Sequence, residues 1–202
     1  MTIKQVFAGY DRQVHQATDL FKYCPFCRTP LQSREVGNKL RPTCPGCRFV
    51  QFTNPAPAVS VLIADGDRVL LGKRLGPPGE GQWAIPSGYV EWEDDFLTTA
   101  IHEAREETGL DVEIESVLNV VSSFLAPRWH FLAIYLLAHP IGGELVAGDD
   151  LEQVAWFSLA GPLPELAFEE DAAMLELLAA GRLVGLPVDP EFARPPGRGE
   201  RH

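Results

Sequence analysis

The segment that most constrains the fold of this chain is residues 88–110, because it reads as one amphipathic helix behind a glycine-led acidic loop. Its apolar residues recur with helical spacing at Phe96, Leu97, Ala100, Ile101 and Ala104. Gly109 supplies the left-handed residue that often ends a helix, and Leu110 can pack back onto the last turn. The sequence therefore predicts a helix that begins at Phe96 and ends at Gly109.

Three glutamates of this predicted helix are expected to share one face. Glu103, Glu106 and Glu107 lie at positions i, i+3 and i+4, so their like charges repel one another. The usual explanation for such a turn is a solvated acidic surface. Here a strand-like segment, 83–87, leads through Gly88 into an acidic loop, and this order favours a bound divalent cation between the carboxylates.

This stretch resembles the Nudix box, G-x5-E-x7-R-E-U-x-E-E-x-G-U, in which U is aliphatic. Aligned on Gly88 and Gly109, its spacing matches throughout. The resemblance implies an α/β fold, the Nudix α/β/α sandwich with a mixed sheet. It also implies hydrolysis of a phosphoanhydride bond with catalytic Mg²⁺, or Mn²⁺, held by Gly88, Glu103, Glu106 and Glu107.

Three positions depart from the box. Asp94 stands where the family has Glu, His102 where it has Arg, and Ala104 at the aliphatic position. In the family, that Glu and Arg pair to brace the loop against the helix. We expect Asp94 and His102 to form a shorter brace that depends on pH, because histidine loses its charge near neutrality.

All four cysteines lie in a C-x2-C…C-x2-C arrangement, Cys24, Cys27, Cys44 and Cys47. Two such knuckles complete a tetrahedron of thiolates, so the spacing predicts a zinc ribbon. Disulfides are the alternative, and the expected reducing compartment disfavours them. Four thiolates leave no open coordination position, so the Zn²⁺ is expected to be structural.

Charge is distributed unevenly over the 202 residues. Residues 1–52 contain 8 Lys and Arg residues and 3 Asp and Glu residues. The remainder of the chain contains 9 Lys and Arg residues and 25 Asp and Glu residues, and the net charge of the whole chain is -11. The acidic part should repel nucleic acid, so nucleic acid is not an expected partner. The basic ribbon could recognise a ligand or partner, but we favour its docking on the acidic domain. No apolar run reaches the roughly 20 residues of a membrane span and no signal peptide is recognisable, so we expect a cytoplasmic protein without a membrane partner.

We divide the chain into four parts: an N-terminal helical segment at 1–20, the zinc ribbon at 21–52, the Nudix domain at 55–185 and a disordered tail at 186–202. Within the Nudix domain, predicted strands occupy residues 58–64, 68–74, 112–125, 129–138 and 154–157. A last helix is predicted over 168–180 and ends at Gly181.

A zinc ribbon directly before a Nudix domain is similar to the NADH pyrophosphatases and to a related group that includes plant FAD pyrophosphatases. The first group has the signature S-Q-P-W-P-F-P-x-S after the box, which residues 119–127, NVVSSFLAP, do not match. The second group is closer in its residues at 44–47, 54–55, 83–89, 151–152 and 156–157. The resemblance implies a small nucleotide substrate, FAD or ADP-ribose before NADH, and a homodimer.

Other residues are candidates for substrate contacts and catalysis. Arg74 could clamp a phosphate because its guanidinium pairs two oxygens at once, and Glu91 could contact substrate or brace Arg74. Family members take their general base either from a box Glu or from a later loop, where Glu152 is the candidate. Alternatively, Glu152 is a solvated loop carboxylate without a catalytic role. Three aromatic residues could stack on a base or flavin, Trp92, Phe124 and Trp129.

Two other functions remain open from the sequence. One is a ligand sensor or regulator with the same fold that binds without cleaving, because the box departs from its pattern. The intact carboxylates and the lack of a helix-turn-helix segment after the Nudix domain argue against it. The other is an enzyme that removes a 5′ cap from RNA, for which no aromatic and basic interleaving is present.

Overall fold

The computed structural model describes residues 3–7, 21–126 and 129–195. Within them, nine strands form one mixed sheet and two form a separate hairpin. The strands are β1 (Val6–Phe7), β2 (Gln32–Val36), β3 (Lys39–Thr43), β4 (Ala56–Asp65), β5 (Arg68–Arg74), β6 (Trp83–Ala84), β7 (Ser87–Tyr89), β8 (Leu110–Ala126), β9 (Trp129–Gly143), β10 (Leu151–Ser158) and β11 (Leu186–Pro187). The two helices are α1 (Phe96–Thr108) and α2 (Glu169–Ala179).

The large sheet has the main order β1-β8-β9-β4-β5-β10, with β7 on β4, β6 on β5 and β11 on β8. The β4–β9 and β1–β8 pairs are parallel, whereas β4–β5, β8–β9 and β5–β10 are antiparallel. The sheet is therefore mixed, as predicted.

Each helix covers one face of this sheet. Val59, Val61 and Ile63 of β4 pack with α1, while Leu62 belongs to a second buried cluster that includes Met174 and Leu175 of α2. Because strand side chains alternate between faces, burial on both sides explains the continuous apolar run of β4. The predicted α/β/α sandwich is confirmed.

Helix α1 has a cap at each end. The Asp95 carboxylate accepts hydrogen bonds from the N–H groups of Leu97 and Thr98 at 2.8 and 3.0 Å. At the other end, Gly109 adopts φ 74° and donates its N–H to the carbonyl of Arg105 at 2.9 Å. The predicted start and end of this helix agree with the structure.

The chain termini differ from expectation. Val6 and Phe7, placed in a helical segment from the sequence, instead form a strand parallel to β8, and residues 8–20 lie outside the described residues. The tail predicted to be disordered is ordered as far as residue 195: β11 pairs with β8, and the carbonyl of Ala193 accepts from Ile114 N–H at 2.8 Å. Backbone pairing with the long β8 strand holds both segments. Neither α1 nor α2, the two helices of the described part, is long and apolar enough to cross a membrane.

Candidate functional site

A cavity of about 540 Å³ extends from α1 past the end of β7 to the start of α2. One end, called the α1 end below, is lined by Ser87, Gly88, Glu91, Glu103, Glu106, Glu107, Asp149 and Asp150. The other, the α2 end, is lined by Ser60, Ser123, Tyr135, Phe168, Glu170 and Asp171. A ligand with two unlike parts could contact both ends.

The α1 end depends on the absence of a side chain at Gly88. A Cβ on this residue would overlap the carboxylate of Glu103, both oxygens included. The pairing of Gly88 with Val59 of β4 fixes the Gly88 backbone in the sheet, and β7 also contacts α1. The predicted loop glycine therefore allows Glu103 to lie directly on the strand.

Glu107 is the most buried of the three glutamates and is 3% exposed. Its Oε2 accepts the backbone N–H of Ser87 at 2.9 Å. Burial is the main cause that raises the pKa of Glu107 to about 9, and the nearby Asp150 and Glu103 charges add to it. The strand end before the box loop thus holds this carboxylate in place.

Burial also raises the pKa of Glu103 to about 7, with repulsion from Glu106 as the second cause. All three carboxylates line the same end of the cavity, although Glu106 is exposed. Carboxylate oxygens are the ligands that Mg²⁺ prefers, and a cation would relieve the repulsion that adds to the effect of burial on these pKa values. The chemistry of these donors therefore suits a divalent metal.

Arg74 lies between the two ends of the cavity. Its Nε donates to the carbonyl of Pro78 at 2.8 Å, and its guanidinium lies 5.4 Å from the ring centroid of Phe168 at the start of α2. One terminal nitrogen approaches Asp150 at 3.6 Å. Only 13% of the side chain is exposed, so the cation faces the cavity rather than bulk solvent.

The acidic residues of the loop before β10 differ from the prediction that Glu152 is the general base. Glu152 does not line the cavity; it forms an ion pair with Lys73 at 2.8 Å at a register shift in the β5–β10 pairing. Asp149 and Asp150, just before it, line the cavity instead. A bulge of this kind reverses which side chains face inward, and the sequence carries no clear signal for it.

The predicted aromatic contacts divide into two groups. Trp129, one of the predicted stacking residues, lines the cavity. Trp92 and Phe124 are not among the lining residues: Trp92 is 95% exposed, and the ring of Phe124 stacks on His130 with the ring centroids 4.0 Å apart. Tyr89 and Phe131, not predicted, also line the cavity, with ring centroids 5.6 Å apart. The alternation of Phe131, Ala133 and Tyr135 along β9 was a usable signal, because alternate residues face one side of a sheet.

The α2 end contains a buried hydrogen-bonded network. Asp171 accepts from the hydroxyl of Tyr135 at 2.7 Å and from the N–H of Ile85 at 3.0 Å. Burial raises the pKa of Asp171 to about 7 despite these two bonds. The pattern of α2 indicated only a packing helix, so the sequence reasoning missed these residues.

The altered brace of the box is formed. His102 Nδ1 lies 3.0 Å from Asp94 Oδ2, as the paired substitution predicted. The contact joins the acidic loop to the middle of α1. It lies on the outer side of the helix from the cavity, where half of the His102 side chain is exposed.

The four cysteines converge in the separate hairpin unit. Their Sγ atoms all lie within 4.8 Å of one another, closer than any group of three acidic or histidine side chains among the described residues. The Sγ distances are 3.5 Å for Cys24–Cys47 and 3.3 Å for Cys27–Cys44. These are far longer than a disulfide and near the roughly 3.8 Å edge of a zinc tetrathiolate tetrahedron.

Hydrogen bonding with Thr29 is the largest cause that lowers the pKa of Cys27 to about 6. A low thiol pKa favours the thiolate that a metal requires. The two knuckles are alike: Cys24 N–H donates to Thr29, and Cys44 N–H donates to Phe49. The cluster is therefore compatible with metal binding and with the predicted ribbon.

Comparison with known proteins identifies the domain. The NUDIX domain family profile matches residues 54–178, more than half of the chain. The structure is similar to that of a NUDIX hydrolase from Nitrosomonas europaea, with a TM-score of 0.73 and 25% identity over 80% of this chain and 92% of that chain.

Two relatives have assigned activities. The ADP-ribose pyrophosphatase of Methanocaldococcus jannaschii is 39% identical over 125 residues, 61% of this chain and 73% of the relative. The NAD-capped RNA hydrolase NudC of Pseudomonas aeruginosa is 30% identical over 179 residues, 86% of this chain and 61% of the relative. This chain thus spans about three-fifths of the length of that NudC. On its box, its fold and these matches, the chain belongs to the Nudix family and is a Nudix pyrophosphohydrolase.

Proposed function

We propose that the protein hydrolyses the pyrophosphate bond of a nucleoside diphosphate that is linked to a second moiety, with ADP-ribose the favoured substrate. The observation that carries the proposal is that acidic residues and Arg74 line the same cavity as a separate α2 end. Such a cavity accommodates a diphosphate together with a group on either side of it. The relative from Methanocaldococcus jannaschii, an ADP-ribose pyrophosphatase, supports this choice.

Enzymes of this family generally use a divalent metal and act on small nucleotides. In this chain, Mg²⁺ or Mn²⁺ would be held by Glu103, Glu106, Glu107 and the backbone carbonyl of Gly88. Such an ion, when bound, neutralises diphosphate charge and lowers the pKa of a bound water. Burial of Glu103 and Glu107 keeps these ligands in a low-dielectric site, where their charge acts strongly.

Other residues of the cavity are proposed to bind the phosphates and the base of the substrate. Arg74 binds the phosphate oxygens, and its bond to the Pro78 carbonyl orients the guanidinium. Phe131, Tyr89 and Trp129 form an aromatic wall on which a base or flavin can stack. Glu91 remains a candidate substrate contact at the α1 end.

The general base is proposed to be Asp150. It lines the cavity and adds to the raised pKa of Glu107, so its carboxylate lies close to the metal-binding group. Glu152 was the sequence-based candidate, and its ion pair with Lys73 directs it elsewhere. A base must lie within hydrogen-bond reach of the water it deprotonates, which favours the cavity residue.

Zn²⁺ is proposed for the ribbon, held by Cys24, Cys27, Cys44 and Cys47. The metal would be structural, because four thiolates complete its coordination. The regular structure of this unit is one two-stranded hairpin and two short bridges, so the metal would contribute a large part of its folding energy.

A second candidate substrate is the NAD moiety, free as NADH or at the 5′ end of RNA. The observation that favours it is the match to NudC, which extends over 179 residues and 86% of this chain, beyond the family domain. The excess negative charge after residue 52 opposes RNA binding, and only the basic ribbon would favour it.

A homodimer is also proposed. Val6, Val120 and Leu132 lie on one face of neighbouring strands β1, β8 and β9 and are 54%, 44% and 40% exposed. Pairing two copies through this strip would bury it. Light scattering after gel filtration should give twice the chain mass, and Leu132→Asp should give the monomer mass.

Incubation with Mg²⁺ and a panel of substrates tests the proposed activity. ADP-ribose, FAD, NADH, NAD-capped RNA and ATP are compared under identical conditions, and the products are separated by chromatography. We expect ADP-ribose to yield AMP and ribose 5-phosphate with the highest kcat/KM. Faster turnover of NAD-capped RNA would select the second candidate, and binding without turnover of any compound would support a sensor.

A further inference from the structure

We propose that the α2 end of the cavity is a subsite for an uncharged moiety rich in hydroxyl or amino groups, and that it rejects a phosphate-bearing one. Glu170, Asp171, Tyr135 and Ser123 form this subsite. The proposal rests on the proposed function and deepens it, because it assigns the part of the substrate beyond the diphosphate.

The start of α2 brings two carboxylates into the interior. Phe168, the residue before the helix, is extended and provides no side-chain cap. Glu170 and Asp171 follow in the first turn; they are 6% and 2% exposed, and both line the cavity. Acidic residues are common at helix N-termini, but there they usually remain in solvent.

The two carboxylates differ in their partners. Asp171 accepts two hydrogen bonds, from Tyr135 and Ile85, and so is held rigidly. Glu170 forms no ion pair or side-chain hydrogen bond with any other described residue. A carboxylate this buried is unfavourable without a donor, so Glu170 is poised to accept one from a ligand.

A second unpartnered group faces the same cavity from a different element. Ser123 on β8 is 1% exposed and lines the cavity, and its Oγ has no hydrogen-bond partner. Ser123 pairs with Phe131 across the β8–β9 ladder, so it lies beside the aromatic wall. Helix and sheet thus each contribute to the lining of one space a buried residue whose polar side chain lacks a hydrogen-bond partner.

The chemistry of these groups selects the ligand. Ionised carboxylates only accept hydrogen bonds, so the complementary groups are hydroxyls or amines that donate. A terminal phosphate would be repelled by two nearby acidic side chains. The diphosphate itself would stay at Arg74 and the α1 end, and a ribose is the simplest moiety that satisfies the α2 end.

The alternative role for Glu170 is purely structural, as a favourable charge at the start of α2. Glu169 tests this alternative because it lies in the same turn but is exposed. Glu169→Gln removes an equal charge from the helix terminus and leaves the cavity unchanged. Any effect specific to Glu170→Gln therefore reports on the cavity.

The experiment measures kcat/KM for ADP-ribose and for ADP-ribose that carries a phosphate on its terminal ribose. We expect the unmodified protein and Glu169→Gln to prefer ADP-ribose equally. Glu170→Gln should lower that preference at least about tenfold, the effect of one lost charge-assisted hydrogen bond and of relieved repulsion. Preference ratios within about threefold of each other for Glu170→Gln and Glu169→Gln would overturn the subsite.

A binding measurement separates this outcome from failure of the proposed activity. Calorimetric titration of ADP-ribose in EDTA needs no turnover, and Ser123→Ala and Glu170→Gln should each weaken binding relative to Glu169→Gln. Equal binding by all three variants overturns the subsite even if the protein is an active hydrolase. Thermal unfolding of each variant confirms that the fold is retained.

Discussion

The carboxylate of Glu103 occupies the volume that a side chain at position 88 would need, so Gly88 and Glu103 are in direct steric contact across the β7–α1 boundary. This contact places a partly buried carboxylate against the backbone at the end of a strand. The proposed metal site depends on it, because it places one of the proposed metal ligands beside the backbone of Gly88.

Gly88→Ala should strongly lower activity with little loss of stability. The added methyl displaces the Glu103 carboxylate, which is the mobile end of its side chain and can move without disturbing the backbone. We expect kcat/KM to fall at least about 100-fold, as for loss of a metal ligand. Gly76→Ala is the control, because a Cβ there meets nothing within 4 Å. Similar activity of the two variants would argue against the contact.

Asp150→Asn should lower kcat far more than Glu152→Gln. Asp150 lines the cavity beside Glu107, whereas Glu152 is ion-paired with Lys73 at 2.8 Å. General-base catalysis contributes roughly 100-fold or more, so we expect a drop of that size for Asp150→Asn and less than about threefold for Glu152→Gln. The reverse order would restore Glu152 as the base.

Asp171 should make the folded state less stable as pH rises. Burial raises the pKa of Asp171 from 3.8 to about 7. The contribution of this group is therefore fully present below about pH 4 and is lost as pH rises to about 7, a change of roughly 4 kcal/mol. Urea unfolding should show that Asp171→Asn gains stability relative to the unmodified protein between pH 4 and 8. A difference independent of pH would refute this linkage.

Removal of zinc should unfold the ribbon. The thiolates of Cys24, Cys27, Cys44 and Cys47 converge in a unit with one short hairpin, so a chelator or Cys44→Ser should eliminate bound zinc and lower the thermal midpoint of this unit. Ser33→Ala, at an exposed ribbon position, should change neither quantity. Complete zinc loss with unaltered thermal unfolding would show that the metal is not structural.

Local features were predictable from the sequence. The bounds of α1 follow from its apolar spacing and from Gly109, and the Arg68–Arg74 strand follows from the turn before it, where Gly66 adopts φ 63°. The cysteine cluster follows from its spacing alone. Each of these signals is complete within a short stretch of chain, so no tertiary contact was needed to read it.

Features that depend on long-range contacts were not predictable. Val6, Leu186 and Ala193 are held by pairing with β8, whereas the local sequence indicated a helix around Val6 and a disordered tail around Leu186 and Ala193. The contact of Asp171 with Tyr135 joins α2 to β9 across 36 positions of sequence. Hydrophobic periodicity describes which face of an element is buried, but not which polar side chains meet there.

Dependence of ADP-ribose hydrolysis on Mg²⁺ concentration tests the central claim most directly. We predict saturable activation of the unmodified protein and of Glu93→Gln, an exposed box-loop control outside the cavity. Glu106→Gln should need at least about tenfold more Mg²⁺ and have a lower maximal rate, since it lacks one ligand charge. Rates of Glu106→Gln within about threefold of the unmodified protein at every Mg²⁺ concentration would contradict the assignment of this carboxylate cluster as the metal site.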